Sequence, residues 1–145
     1  MSQYATLTDL TTYGIQAIAV QNVTTTDQTN QLIAASSLID SYFNGRYALP
    51  LLQWDVSVRM NTTYIAAYLL MSVRGFRPTQ GADDTIRKNY EQAIAWCEGV
   101  QRQSVHPIVT QSAPVTDPTY QLPQVHSSVA RGWNTSGRFG GPEGV

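Results

Sequence analysis

Ile39-Asp40-Ser41-Tyr42-Phe43-Asn44-Gly45-Arg46-Tyr47-Ala48-Leu49-Pro50-Leu51 decides the fold. Ile39, Tyr42 and Phe43 continue an apolar stripe at helical spacing. Gly45 is free to take the left-handed conformation that closes a helix. Pro50 disfavours helix at Leu49 and pushes it into an extended conformation. The segment therefore reads as the end of an amphipathic helix, a sharp aromatic corner, and the approach to a second helix. Within it Arg46 is expected to pair with Asp40 or to cap helical carbonyls, and Pro50 to fix the corner beside Tyr47. Leu51, Leu52 and Trp54 are either core or surface offered to a neighbouring molecule.

Helices are expected on both sides of the corner. Thr6 can cap a short helix with Leu7, Leu10 and Tyr13 on one side and Gly14 at its end. Asp27 is the expected cap of a helix running to about Asn44, striped by Leu32, Ile39, Tyr42 and Phe43 with Ala35 and Ser36 between them. Asp55 caps the next helix, to about Arg74. There Val56, Met60, Tyr64, Ala67 and Met71 form one stripe, which Ile65, Tyr68 and Leu69 widen; a sector that wide implies a central helix touched on two sides. Asp83 or Asp84 caps the last helix, with Ile86, Tyr90, Ala93, Ile94 and Cys97 inward.

The fold expected is mainly α, a small bundle of about four helices over residues 1–104. Residues 105–145 differ. They hold Pro107, Pro114, Pro118, Pro123 and Pro142, and five glycines between Gly132 and Gly144. Short extended pieces are expected at Val105 to Thr110 and Tyr120 to Val125. Trp133 and Phe139 set this stretch apart from ordinary disordered sequence, which is poor in aromatics. An extended C-terminal arm that orders against a partner fits both features, with Trp133 as anchor and Arg131, Arg138 and Phe139 beside it.

Composition narrows the function. The 145 residues suit one domain, and the net charge of −1 gives no general attraction to nucleic acid or to anionic membrane. Residues 1–45 carry Asp9, Asp27 and Asp40 and no Lys or Arg, whereas residues 46–104 carry seven basic and five acidic residues. Ordinary scatter accounts for this, as do complementary ends that meet between subunits. Charged residues are 13% of the chain and Lys88 is the only lysine, against roughly 25% charged in average proteins. A surface so low in charge suits packing against copies of itself, or else reflects the habit of its genome.

Chemistry-bearing constellations are sparse. His106 and His126 lack companions at metal-ligand spacing. Cys97 reads as a small core residue, and Asp83-Asp84 as helix caps. No phosphate loop, zincin helix or nucleophile elbow occurs, and a single Gly137-Arg138-Phe139-Gly140-Gly141 is a weak nucleic-acid signal. No enzyme, cofactor or metal is expected. No apolar run reaches the roughly 18 residues that span a membrane, and no secretory signal opens the chain, so synthesis and retention in a cytoplasm are expected.

Three stretches together carry a resemblance. They are Tyr4-x-x-Leu7-x-Asp9-Leu10-x-x-x-Tyr13-Gly14, then Ile39-Asp40-x-Tyr42-x-x-x-Arg46-Tyr47-x-Leu49-Pro50-Leu51, and the helical pair Ile65-Ala66-Ala67-Tyr68-Leu69 and Tyr90-Glu91-Gln92-Ala93-Ile94-Ala95-Trp96. Over about residues 1–100 the chain resembles the small helical head–tail adaptors, or connectors, of tailed bacteriophages, and their Mu-like branch in particular. The resemblance implies a virion protein at the neck, a ring of commonly about twelve subunits between the portal and the downstream neck or tail protein. DNA would pass through the lumen without sequence-specific binding, during genome ejection among other times. Another neck or tail-completion protein, a stopper or terminator, is the second reading. A small helical nucleic-acid-binding module is the third.

Overall fold

The computed structural model describes residues 2–75 and 81–112. The calls on residues 113–145, including Arg131, Trp133, Arg138, Phe139 and His126, lie outside the described residues. Helix α1 (Leu7–Asp9) runs straight into a wider π-helical turn, Leu10–Gly14. Thr6 caps it reciprocally: its hydroxyl accepts from Asp9 N at 3.2 Å, and the Asp9 carboxylate accepts from Thr6 N at 2.8 Å. Gly14 ends the turn because a Cβ there would sit 2.8 Å from the Thr63 carbonyl oxygen. A 3-10 turn, Ala17–Val20, follows.

Helix α2 spans Thr25–Phe43. Its cap is Thr24, whose hydroxyl accepts from Asp27 N at 3.1 Å. Asp27 lies in the first turn and accepts in return from the Thr24 hydroxyl at 2.7 Å, so the expected cap moves back three residues. Leu32, Ala35, Ser36, Ile39 and Phe43 are buried, as the stripe predicts, and Tyr42 is half-buried.

Helix α3 (Val56–Arg74) starts at the expected cap, Asp55, and ends at Gly75, whose φ of +88° suits glycine. Its buried face differs from the expected one. Val56 is 48% exposed, while Val58, Asn61, Thr62, Thr63, Ile65, Ala66, Ala67, Leu70 and Met71 are buried. The three polar members are satisfied locally. Thr62 donates to Val58 O, Thr63 to Met60 O and Asn61 to Ser57 O, at 2.7, 2.7 and 2.8 Å. That satisfaction removes the main penalty of burying a polar group. Helix α4 (Gly81–Gln101) buries Ile86, Ala93, Cys97 and Val100, with Tyr90 and Ile94 half-buried against the same core.

Helix α3 is central. It packs against α2, α4 and the turn after α1, and α2 also touches α4. The described part is thus mainly α with four helices, and it adds a small antiparallel ribbon that the corner reading did not foresee. Strand β1 (Leu51–Trp54) pairs with β2 (Val109–Gln111), Gln53 opposite Thr110 and Trp54 opposite Val109, with an irregularity between Leu51 and Gln53. Residue 104, the expected end of the helical domain, lies between α4 and β2.

Candidate interface site at the corner

The corner after α2 closes by tight turning rather than by a left-handed glycine. Arg46 N and Tyr47 N both donate to Phe43 O, at 2.8 and 2.9 Å. Among the described glycines only Gly75 and Gly81 have positive φ, so Gly45 does not play the expected role. The Leu49–Pro50 peptide bond is cis. Phe43 packs its ring against Tyr47 and Trp96, with centroids 5.3 and 6.0 Å apart.

Arg46 serves as a carbonyl cap, the second of its two expected roles. Its Nη1 donates to Val100 O at 2.6 Å and to Val105 O at 2.8 Å, and its Nη2 meets His106 Nδ1. These carbonyls belong to the end of α4 and the chain leading to β2. Arg46 therefore ties the corner to a segment more than fifty residues away. As Arg always donates, His106 Nδ1 must accept in this contact. The guanidinium lies 5.1 Å from the Tyr47 ring centroid. Three further bonds tighten the same clasp. Ala48 N donates to Gln111 Oε1 at 2.8 Å, the Ser112 hydroxyl donates to Ala48 O at 3.2 Å, and Ile108 N donates to Asp55 Oδ2 at 3.1 Å.

Asp40 is engaged elsewhere: its carboxylate accepts from the Tyr4 hydroxyl. Tyr4 is buried and pinned on all sides. Its N donates to the Ser36 hydroxyl at 3.0 Å, and its carbonyl accepts from Trp54 Nε1 at 2.7 Å, with the two rings edge-on at 4.9 Å. Burial, then the Asp40 bond, raises the Tyr4 hydroxyl well above a normal phenol. Burial also raises Asp40, more than the Tyr4 bond lowers it. At Asp55 burial pushes upward too, but the bonds from Ser57, Val58 and Ile108 outweigh it and hold the carboxyl below 3.8.

Trp54 is half-buried against the core and so joins the two alternatives set for it. Its neighbours separate: Leu51 is buried and Leu52 is 61% exposed. Leu52, Val56 and Ile108 bring exposed apolar side chains to β1, to the first residue of α3 and to the residue before β2. Beside them a cleft of about 510 Å³ is lined by Tyr4, Asp9, Leu52, Trp54 and Arg59, among others. The structure thus brings Arg46, Tyr47, Pro50 and Trp54 into one region, with Asp40 linked to it through Tyr4. Sequence reasoning missed Tyr4 as the pin and Gln111 and Ser112 as clasp residues. Tyr4 carried a signal as an aromatic placed ahead of a capped turn; Gln111 and Ser112 carried none. No group of three or more His, Cys, Asp or Glu among the described residues is placed to hold a metal. No described helix is long and apolar enough to cross a membrane.

The described part is a small helical protein whose corner is held together by hydrogen bonds and ring packing. Residues 2–123 match the family model described as Bacteriophage Mu, Gp36, and the chain belongs to that family. A stretch of 66 residues is 39% identical to the Mu-like prophage FluMu protein gp36 of Haemophilus influenzae. That stretch covers 46% of this chain and 42% of the relative, so the match spans under half of the relative's length.

Proposed function

We propose that the protein is a non-enzymatic structural component of a tailed phage particle, acting as the connector between head and tail. Copies would form a ring under the portal and above the downstream neck protein, with DNA passing through its lumen. Membership of a Mu phage family across residues 2–123 carries the reading. The corner supports it: the residues of the resemblance fold as a clasp that holds two distant parts of the chain, a structural task. The exposed Leu52, Val56 and Ile108 are suited to contact with a neighbouring protein.

The test is genetic and structural together. A phage lacking this protein should accumulate DNA-filled heads and free tails that join when the full chain is supplied. Antibody against the chain should label the head–tail junction of intact particles. A chain cut after Ser112 keeps β2, so it should fold, and it should fail to join heads to tails if the arm makes the partner contact. Joining by the cut chain would remove the arm from the account, and label on the tail tip or capsid faces would remove the neck position.

A further inference from the structure

β2 (Val109–Gln111) is a short strand of which Val109 packs against the core while Thr110 and Gln111 are exposed. From Ile108 onward, the hydrogen bonds described above and the strand register all lead to residues 48–55: Ile108 to Asp55, Val109 to Trp54, Thr110 to Gln53, Gln111 and Ser112 to Ala48. The link between α4 and β2 is short and largely exposed, with Val105 and Pro107 half-buried. It turns through Gln103 at φ +63°, the one described non-glycine residue in the left-handed region. A side chain with a Cβ is strained there. Gly99 adds to the tightness, because Val105 lies against it so closely that a Cβ at Gly99 would fall 2.8 Å from Val105 Cγ2.

We infer that β2 is an exchangeable strand: in assemblies of this chain, β2 of one copy pairs with β1 of the next. The occupant is a second copy because the acceptor is matched to it. Asp55 Oδ2, Ala48 N and O, and the β1 register are complementary to Ile108–Ser112, and every copy carries the same set. Exchange keeps those bonds and relieves the Gln103 conformation, while it gives up the link's bonds from Gln103, Ser104 and Val105 N to the Val100 and Gly99 carbonyls and passes the Val105 carbonyl to Arg46 of the next copy. Residues 102–107, once extended, reach about 20 Å. Passing the strand in one direction from copy to copy makes a heterologous contact, the kind that closes rings. It also puts the exposed Leu52, Val56 and Ile108 at the junction between copies. The inference rests on the self-assembly in the proposed function, not on ring size or neck position.

The test uses the full chain with Gln53→Cys and Thr110→Cys, which face each other across the ribbon. Directly opposed Cα atoms are about 4.5–5.5 Å apart in such pairs, within disulfide reach, and Cys97 is buried. Oxidation at a series of concentrations, with masses measured first by light scattering, should give internal disulfides in single chains and covalent ladders in assembled ones. Mixing a Gln53→Cys chain with a Thr110→Cys chain permits only bonds between copies, and should give a crosslinked heterodimer well above either chain alone. Gln103→Gly should lower the laddered fraction on the order of five-fold, because it removes the strain from the closed form. Assembled chains that crosslink only internally would overturn the exchange and leave the ring standing. Chains that stay single at every concentration and crosslink only internally would overturn both.

Discussion

Arg46→Met keeps the aliphatic stem and removes the guanidinium. Three contacts are lost, to Val100 O at 2.6 Å, to Val105 O at 2.8 Å and to His106 Nδ1, and the Val100 carbonyl at the end of α4 keeps only its bond from Gln103 N. A hydrogen bond to a charged group contributes about 1.5–3 kcal/mol when well buried; this site is partly exposed, so the two carbonyl bonds together should contribute about 2–3 kcal/mol. In a unit of this size that lowers Tm by about 8–12 °C. Circular dichroism reads the melting, and hydrogen exchange reads where the loss falls. Amides of β2 should lose protection while those in the middle of α2 and α3 keep theirs. Arg46→Lys should recover less than half, because a single ammonium cannot bond both carbonyls and also reach His106 as the two terminal nitrogens of the guanidinium do. A Tm change under about 2 °C, or equal loss of protection in α2 and β2, would refute the clasp as a stabilising device.

Three further predictions concern packing and titration. Gly14→Ala pushes a methyl against the Thr63 backbone carbonyl, 2.8 Å away, and should cost about 1–3 kcal/mol by overpacking; a denaturation midpoint equal to that of the parent would contradict the close approach. Asp55, held below 3.8, contributes stability at pH values above 3.8 that is lost as pH falls through its lowered value. Asp40, held above 3.8, contributes stability fully present below 3.8 and lost as pH rises through its raised value. Asp55→Asn should therefore flatten the acid limb of a stability–pH curve and Asp40→Asn should steepen it; the same change in both would show that the signs are wrong. Burial pushes the Cys97 thiol up to about 12, so a thiol reagent at pH 8 should label it only after unfolding, and rapid labelling of the native chain would place it at the surface.

Caps and glycines told most where they acted through local chemistry. Thr6, Asp55 and Gly75 lie where the sequence places helix ends, because each meets a backbone need within three or four residues. Asp27 misled because Thr24 and Asp27 form a reciprocal pair, and either member reads as a cap. The α3 face was misjudged for a different reason. Counting apolar residues favours Val56, Met60 and Tyr64, yet Thr62 and Thr63 are fully buried, since each hydroxyl finds a carbonyl on its own helix. At Arg46 the residue and its capping role were legible, but not the carbonyls it caps, at Val100 and Val105. Contacts across more than fifty residues depend on how α2 and α4 pack, and no local pattern in the chain encodes that. Of the ribbon, the extended piece expected at Val105 to Thr110 overlaps β2 (Val109–Gln111), but its pairing with β1 was not legible: four residues and three make strands too short for alternation to show.

The most direct test of the connector account is a native mass spectrum of the full chain, alone and with the portal protein of the same phage. The account predicts one closed assembly of about a dozen copies, free of small ligands, alone or seated on the portal. A chain that stays single and ignores the portal, or that carries a stoichiometric metal, nucleotide or nucleic acid, would contradict it.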